Sequence, residues 1–330
     1  MAAGPGVEKT LQKLKKSVED GNYYEAHQMY HSVSQRYLKQ KKFDVALELL
    51  HQGAKNMVAH NQLGSAMDLV QRLIDVYDQE NMDVNESTRG RLLDIFQEMP
   101  LQTQTCDEYV RLCIKWSARH GPCPQGDPLI HHAFGSRYYS VKQYYDAENH
   151  FIYGTLDSAK ATGHMTWEWS GEGYHDDRGY FLLRSVLQYL ALKKLAHATA
   201  LFDIFTKLLI TESPSDKSLP LSFTPSSPSD PPRGTEVALY KSSSINFAQF
   251  LILCVERGSP EHFITLRNQY RNVLSFDGWL GAVFEVVAEV WYDLGPKKPV
   301  NPFEDIMKSL FAPPPSGGSG GNGQQLLAMD

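Results

Sequence analysis

Cys113, His120 and Cys123 lie within ten positions of one another, and His131-His132 follows eight further on. Thiolate and imidazole are the ligands zinc prefers, and a thiolate beside a histidine is also the start of cysteine catalysis. Zinc takes four ligands at tight, paired spacing, however. The four cysteines, Cys106, Cys113, Cys123 and Cys254, contain no CxxC pair. Cys106 and Cys113 share a helical stripe with Tyr109, Val110 and Ser117, which is where an inert buried thiol sits. His164, His175, Asp176 and Asp177 could be drawn as a metal or acid–base set, but their spacing matches no ligand pattern and reads as solvated loop charge. There is no GxSxG, no P-loop, no GxGxxG after a strand and no HExxH, and Gly171-Glu172-Gly173 lacks the rest of a phosphate loop. The expectation is a protein that is not an enzyme and carries no cofactor or metal.

The elements that would position any site are set by a repeat. Asn22-Tyr23-Tyr24-Glu25-Ala26 aligns with Lys42-Phe43-Asp44-Val45-Ala46 and with Gln62-Leu63-Gly64-Ser65-Ala66, so Ala26, Ala46 and Ala66 are 20 residues apart. The register continues through Met29, Leu49, Leu69, then Tyr30, Leu50, Val70, then Tyr37, Met57, Tyr77. Small or apolar residues at i, i+3, i+4 and i+11 make one face of an α-helix. A period of 20 per helix is about 40 per helix pair, the size of a helical-solenoid unit. Gln143-Tyr144-Tyr145-Asp146-Ala147 repeats the first line nearly letter for letter, and Lys194-Leu195-Ala196-His197-Ala198 is a weaker copy. The fold class expected is all-α, a right-handed helical-hairpin solenoid (TPR-like).

Taken in order, helices are expected at Val7–Glu19, Tyr23–Gln40, Phe43–His60, Gly64–Gln79, from about Asn85 to before Pro100, at Thr105–His120 and at Pro128–Val141. Others follow at Leu156–Trp169, Asp177–Leu192, Leu195–Leu209, Ile245–Glu256, Pro260–Ser275 and Gly278–Leu294. Thr211 to Ser244 is rich in proline and serine; its ends, Leu219–Thr224 and Glu236–Lys241, are β-prone and read as a small β-hairpin insertion. Phe303, Ile306, Met307, Leu310 and Phe311 make an amphipathic turn or two before a Pro- and Gly/Ser-rich tail, 312–330, read as disordered.

A hydrophobic content of 42% over 330 residues supports a real core, and a net charge of −6 gives no electrostatic reason to expect nucleic acid. No run approaches 18 apolar residues, and the start of the chain is neither a secretory nor an Arg-rich transit segment, so the expectation is a cytosolic protein with reduced thiols and no membrane insertion. Charge along the first helices is sorted. Lys9, Lys13, Lys15 and Lys16, then Arg36, Lys39, Lys41 and Lys42, give way to Asp68, Asp75, Asp78, Glu80, Asp83 and Glu86. That is either a solvated rim or a two-signed docking face. Phe247, Phe250, Leu251, Trp279, Phe284 and Tyr292 cluster toward the other extremity, either as core or as an exposed partner patch.

Asp20 to Gln28, Arg36-Tyr37, Ala46-Leu47-Glu48-Leu49, Gln52-Gly53-Ala54 and Asp75-Val76-Tyr77 resemble the N-terminal half of the Golgi-to-ER traffic (GET pathway) adaptor family. His131 and Gly135, Tyr145 to Glu148 with Phe151, Trp167 to Trp169, and Asn246-Phe247 before Leu251 extend the resemblance to residues 7–311. The resemblance implies an all-α solenoid with a β-hairpin that is not an enzyme. It implies that the N-terminal repeats, 1–150, dock on the targeting ATPase that receives tail-anchored membrane proteins. His27, Arg36 and Lys39 would be the anchors, with Asp75 and Asp78 the acidic part. It implies that the C-terminal repeats, 151–311, with the insert at 211–244, clasp a ubiquitin-like partner through Tyr240, Phe247, Phe250, Leu251 and Phe284, and in animals meet a BAG-family scaffold. Only nine methionines are spread over the chain, so bridging is favoured over direct capture of the hydrophobic tail. The alternative is a scaffold subunit of another cytosolic complex, such as a proteasome-lid-like assembly. That reading needs a winged-helix module after Ile245, where none is visible.

Overall fold

The computed structural model describes residues 5–212, 221–222 and 238–295. Helices α1 (Pro5–Glu19), α2 (Tyr23–Lys39), α3 (Phe43–Ala59) and α4 (Leu63–Gln79) carry the repeat. Then come α5 (Glu86–Glu98), α6 (Gln104–His120), α7 (Pro128–Ser140), α8 (Tyr144–Phe151) and α9 (Leu156–Ser170). A 3₁₀ turn at His175–Asp177 leads into α10 (Arg178–Ala191) and α11 (Leu195–Glu212). The last are α12 (Ser243–Arg257), α13 (Pro260–Gln269), α14 (Arg271–Leu274) and α15 (Gly278–Tyr292).

The period of 20 has a local cause. α2, α3 and α4 each run 17 residues, and three residues turn the chain back. The second turn residue is left-handed at Lys41, Asn61 and Asn81, with φ of 56°, 57° and 47°. The N–H after it donates to a carbonyl in the last helical turn: Lys42 to Tyr37, Gln62 to Met57, Met82 to Tyr77. This is the Schellman closure, which satisfies carbonyls the helix end would orphan. The same closure follows Gly21, Lys142 and Lys193, so it recurs along the chain. Where the turn differs, side chains cap the next helix. Asn85 with Thr88 and Thr155 with Ser158 form capping boxes, Thr103 caps Cys106 N–H, and Asp127 caps Leu129 and Ile130 behind Pro128.

The helices stack in two layers. In one, α1, α3, α5, α7, α9 and α11 each meet the next; in the other α2 meets α4 and α4 meets α6. Ala26, Ala46 and Ala66 are wholly buried where neighbouring helices come close. In the second half α10 is central, touching α9, α11, α12 and α15. Buried apolar residues fall into two clusters. One runs from Leu14 to Phe151 and includes Met165; the other runs from Ile152 to Ala288. Gly135 shows how tight the layers are. A Cβ there would lie 2.5 Å from the Phe151 ring. Gly135→Ala should cost about 1–3 kcal/mol by overpacking, read as a lowered thermal midpoint, whereas Gly90→Ala, with open space at its Cβ, should not lower it.

Two expectations need correction. The helix expected at Pro260–Ser275 breaks at Tyr270, where φ is −103° and ψ 26°; its ring packs 5.2 Å from that of Phe247. The β-hairpin insertion is not supported. The described residues hold only a two-residue antiparallel pairing, β1 (Leu221–Ser222) with β2 (Ala238–Leu239), Leu221 opposite Leu239. Two residues per strand are too few to make a stable hairpin, and the architecture is all-helical. The rest of the insert, the amphipathic segment from Phe303 to Phe311 and the tail at 312–330 lie outside the described residues.

Candidate interaction surfaces

α2 and α4 face each other through polar side chains. His27 Nε2 lies 3.7 Å from Asp68 Oδ2, and its side chain is only 14% exposed. One turn on, Arg72 of α4 reaches across to His31 and Gln35 of α2. Desolvation first, then the Arg72 charge, pushes the His31 imidazole down in pKa. His27 is therefore turned into its own fold rather than offered as an anchor. Asp78 is also engaged. Its carboxylate accepts from Arg119 and from His120, each at 2.8 Å, so it ties α4 to α6.

What is left open is the basic corner at the α2–α3 turn. Arg36, Lys39, Lys41 and Lys42 are all exposed and make no ion pair among the described residues; Arg36 lies 5.4 Å over the Tyr37 ring. Asp75 is half-buried and, among the described residues, accepts from Gln71 on its own helix at 2.7 Å. Of the five residues expected at this end, Arg36, Lys39 and Asp75 remain available to a partner.

At the other extremity the expected residues are more deeply buried. Phe247, Leu251 and Phe284 are 0% exposed and Tyr240 is 7% exposed. Phe284 stacks on Phe263 at 4.5 Å with rings nearly parallel, and lies 5.7 Å from Phe247. These four belong to the core because α10, α11 and α13 pack on α12, and α15, packed on α10, brings Phe284 to Phe247. Asn246 pins the same corner: its side-chain amide accepts from Tyr240 N–H and donates to Tyr240 C=O, at 2.7 and 2.6 Å. Phe250 alone is part-exposed, lining a groove of about 310 Å³ with Cys254, Arg257, His262 and Leu266. A second groove of about 350 Å³ is bordered by Tyr180, Arg184, Phe276 and Trp279. Phe276, 56% exposed and stacked on Tyr180 at 3.8 Å, escaped the sequence reading. Its signal was an aromatic in the turn before the α15 cap Asp277, outside any helical stripe.

A protein-family profile described as Golgi to ER traffic protein 4 matches residues 40–311. Golgi to ER traffic protein 4 of Aspergillus fumigatus is 30% identical over 95% of this chain and 92% of its own length. The chain belongs to the Golgi to ER traffic protein 4 family. The Homo sapiens homologue of that protein is 27% identical over 89% of this chain and 82% of its own. A crystal structure of C. therm. Get4 superposes with a TM-score of 0.79 at 27% identity, covering 98% of this chain and 99% of that one. This Golgi to ER traffic protein 4 family member is thus a helical solenoid across its described residues.

The buried polar groups of this family member pack against one another. Burial pushes the Cys113 thiol up to about 12 and raises Cys106 and Cys254 as well, so all three are held as unreactive thiols at neutral pH. Among the described residues no group of three or more His, Cys, Asp or Glu is placed to hold a metal ion, and no helix is long and apolar enough to cross a membrane. Glu148, 2% exposed, accepts from Arg184 at 2.6 Å, and the same guanidinium lies over the Trp169 and Trp279 rings. Burial raises the Glu148 carboxyl, with Arg184 opposing. That network joins α8 to α10 and α15. His131 donates from Nε2 to Gln125 C=O at 3.0 Å, which leaves its Nδ1 to accept from His150 Nδ1–H at 3.1 Å. Burial drives His131 down to about 4; burial and the neighbouring His131 drive His150 down to about 3. The pair is neutral at pH 7 and hydrogen-bonded within the α7–α8 packing.

Proposed function

We propose that this chain is a cytosolic adaptor of the GET pathway that bridges a ubiquitin-like protein complex to the targeting ATPase for tail-anchored membrane proteins. Its action would be purely one of binding, without catalysis. The observation that carries the reading is membership of the Golgi to ER traffic protein 4 family across most of the chain. The geometry agrees with it. An extended two-layer array has two separated extremities, and Arg36, Lys39, Lys41 and Lys42 at one of them make no ion pair among the described residues. In this reading residues 1–150 serve the ATPase through Arg36, Lys39 and Asp75. Residues 151–311 serve the ubiquitin-like partner, or a BAG-family scaffold, through Phe250 and the grooves beside it. The superhelix is right-handed.

Charge reversal at the exposed corner tests the ATPase end. Arg36→Glu with Lys39→Glu should weaken association with the ATPase about tenfold or more at low ionic strength, with the difference shrinking as salt is added. Binding of the ubiquitin-like partner and the thermal midpoint should stay as they were. Calorimetric titration at two salt concentrations reads this directly; an affinity unchanged by the double reversal removes this face from the reading.

A further inference from the structure

Between α6 and α8 the solenoid is left open. α6 packs on α4 and α7 but scarcely meets α8. The reason is length: α8 stops after 8 residues, where α6 runs 17. The gap is a groove of about 720 Å³ between α6, the turn before α7, and α8. Val110, Ile114 and Ala118, at i, i+4 and i+8, lay an apolar floor along α6, and the neutral His131–His150 pair closes its base.

The walls carry charges that form no ion pair among the described residues. Arg111 and Lys115, both exposed, stand one turn apart toward one end, and neither forms an ion pair among the described residues. Toward the other end Asp107 of α6 and Asp146 of α8 lie near each other, likewise without a cation. Desolvation in the groove, then the charge of Asp107, raises the Asp146 carboxyl, as expected of like charges held together without neutralisation. From Asp107 to Lys115 is eight residues, about 12 Å along a helix.

We propose that this groove receives a short amphipathic helix of a partner protein, with a lysine or arginine set against Asp107 and Asp146 and acidic residues about two turns away against Arg111 and Lys115. An apolar stripe between them rests on Val110, Ile114 and Ala118. Such a helix continues the layer where α8 falls short, in the helix-in-groove mode in which apolar anchors supply affinity and flanking charge supplies register. The two-signed walls select for it: an all-acidic or all-basic segment meets repulsion at one end. This surface is separate from the α2–α3 corner and from the grooves at α12–α15.

Panning a displayed library of random 16-residue peptides on the full chain tests the proposal, with counter-selection on two variants. Arg111→Glu with Lys115→Glu reverses one end; Asp107→Lys with Asp146→Lys reverses the other. All four side chains are exposed, so both variants should keep the wild-type thermal midpoint. The expected result is a set of peptides enriched tenfold or more on the wild type over either variant, carrying basic and acidic residues seven or eight positions apart around an apolar stripe. Synthetic copies should lose affinity about tenfold on each variant and regain it when peptide and protein charges are exchanged together. Peptides that bind wild type and variants alike, or that lack the two-signed pattern, overturn the proposal. So does a sedimentation profile in which the wild type is a dimer and the charge variants are monomers, which would give the groove to a second copy of the chain.

Discussion

Phe284→Ala should unfold the C-terminal half at much lower denaturant while Phe250→Ala barely moves it. Phe284 is fully buried, stacked on Phe263 and near Phe247. Removing a buried phenylalanine ring forfeits its transfer energy and leaves a cavity, together about 3–5 kcal/mol. Phe250 is part-exposed on the rim of a groove, so its truncation should cost about 1 kcal/mol or less. Urea unfolding followed by tryptophan fluorescence separates the two cases. Trp291, whose indole N–H donates to Leu190 C=O at 2.7 Å, reports on the α10–α15 contact that Phe284 supports. A Phe284→Ala protein with unchanged stability and a lost partner would put that ring on an interface. The burial observed here gives the opposite ranking: Phe250→Ala for partner binding, Phe284→Ala for folding.

Acid should be the second large perturbation, through His131 and His150. An unfolded histidine takes up its proton near 6.5. In the folded chain His131 is held at about 4 and His150 at about 3. Above 6.5 both states are neutral, and the pair's contribution is fully present. Between 6.5 and 4 the unfolded chain binds two protons that the folded pair does not, so stability falls by about 2.7 kcal/mol per pH unit, or about 4 kcal/mol by pH 5. The loss levels off only as the folded pair itself protonates. His150→Phe keeps an aromatic ring against Phe134 and Tyr138, 5.5 and 5.7 Å away, and removes one of the two protons. Its stability curve should descend about 1.4 kcal/mol per pH unit less steeply over the same window, measured by thermal melting from pH 7.5 to 4.5. A variant slope equal to that of the wild type would assign the acid sensitivity to other groups.

Much of the fold was readable in one dimension. Ala26, Ala46 and Ala66 at equal spacing marked three helices of equal length, and the structure shows why the spacing is 20: 17 helical residues and a three-residue Schellman turn. The left-handed residue in that turn was legible at Gly21 and plausible at Asn61 and Asn81, whose types tolerate positive φ. At Lys41, Lys142 and Lys193 it was not, because lysine carries no such preference and adopts the conformation only because the flanking helices are committed. The capping residues Asp127 and Pro128 announced α7 in the same local way. The break at Tyr270 had no local signal; it appears where that ring meets Phe247 from another helix.

The candidate sites were legible to a smaller extent. Arg36 and Lys39 stand exposed, but His27 and Asp78 turn to Asp68, Arg119 and His120, which are 41 or 42 positions away. The pairing distance is two helices, and no spacing within a helix encodes which opposite charge will arrive there.

By itself the sequence determined most of the helices and the equal lengths of α2, α3 and α4. Those follow from apolar periodicity, turn chemistry and residue type, which act over a few neighbouring positions. Only the tertiary structure decided which aromatics are core, which charges are spent inside the fold, and that α8 stops short and leaves a groove beside α6. The physical reason is that an apolar stripe states that something must cover it without stating what. Phe247 and Phe284 are covered by the chain's own helices, whereas no described helix covers the groove floor beside Arg111 and Lys115.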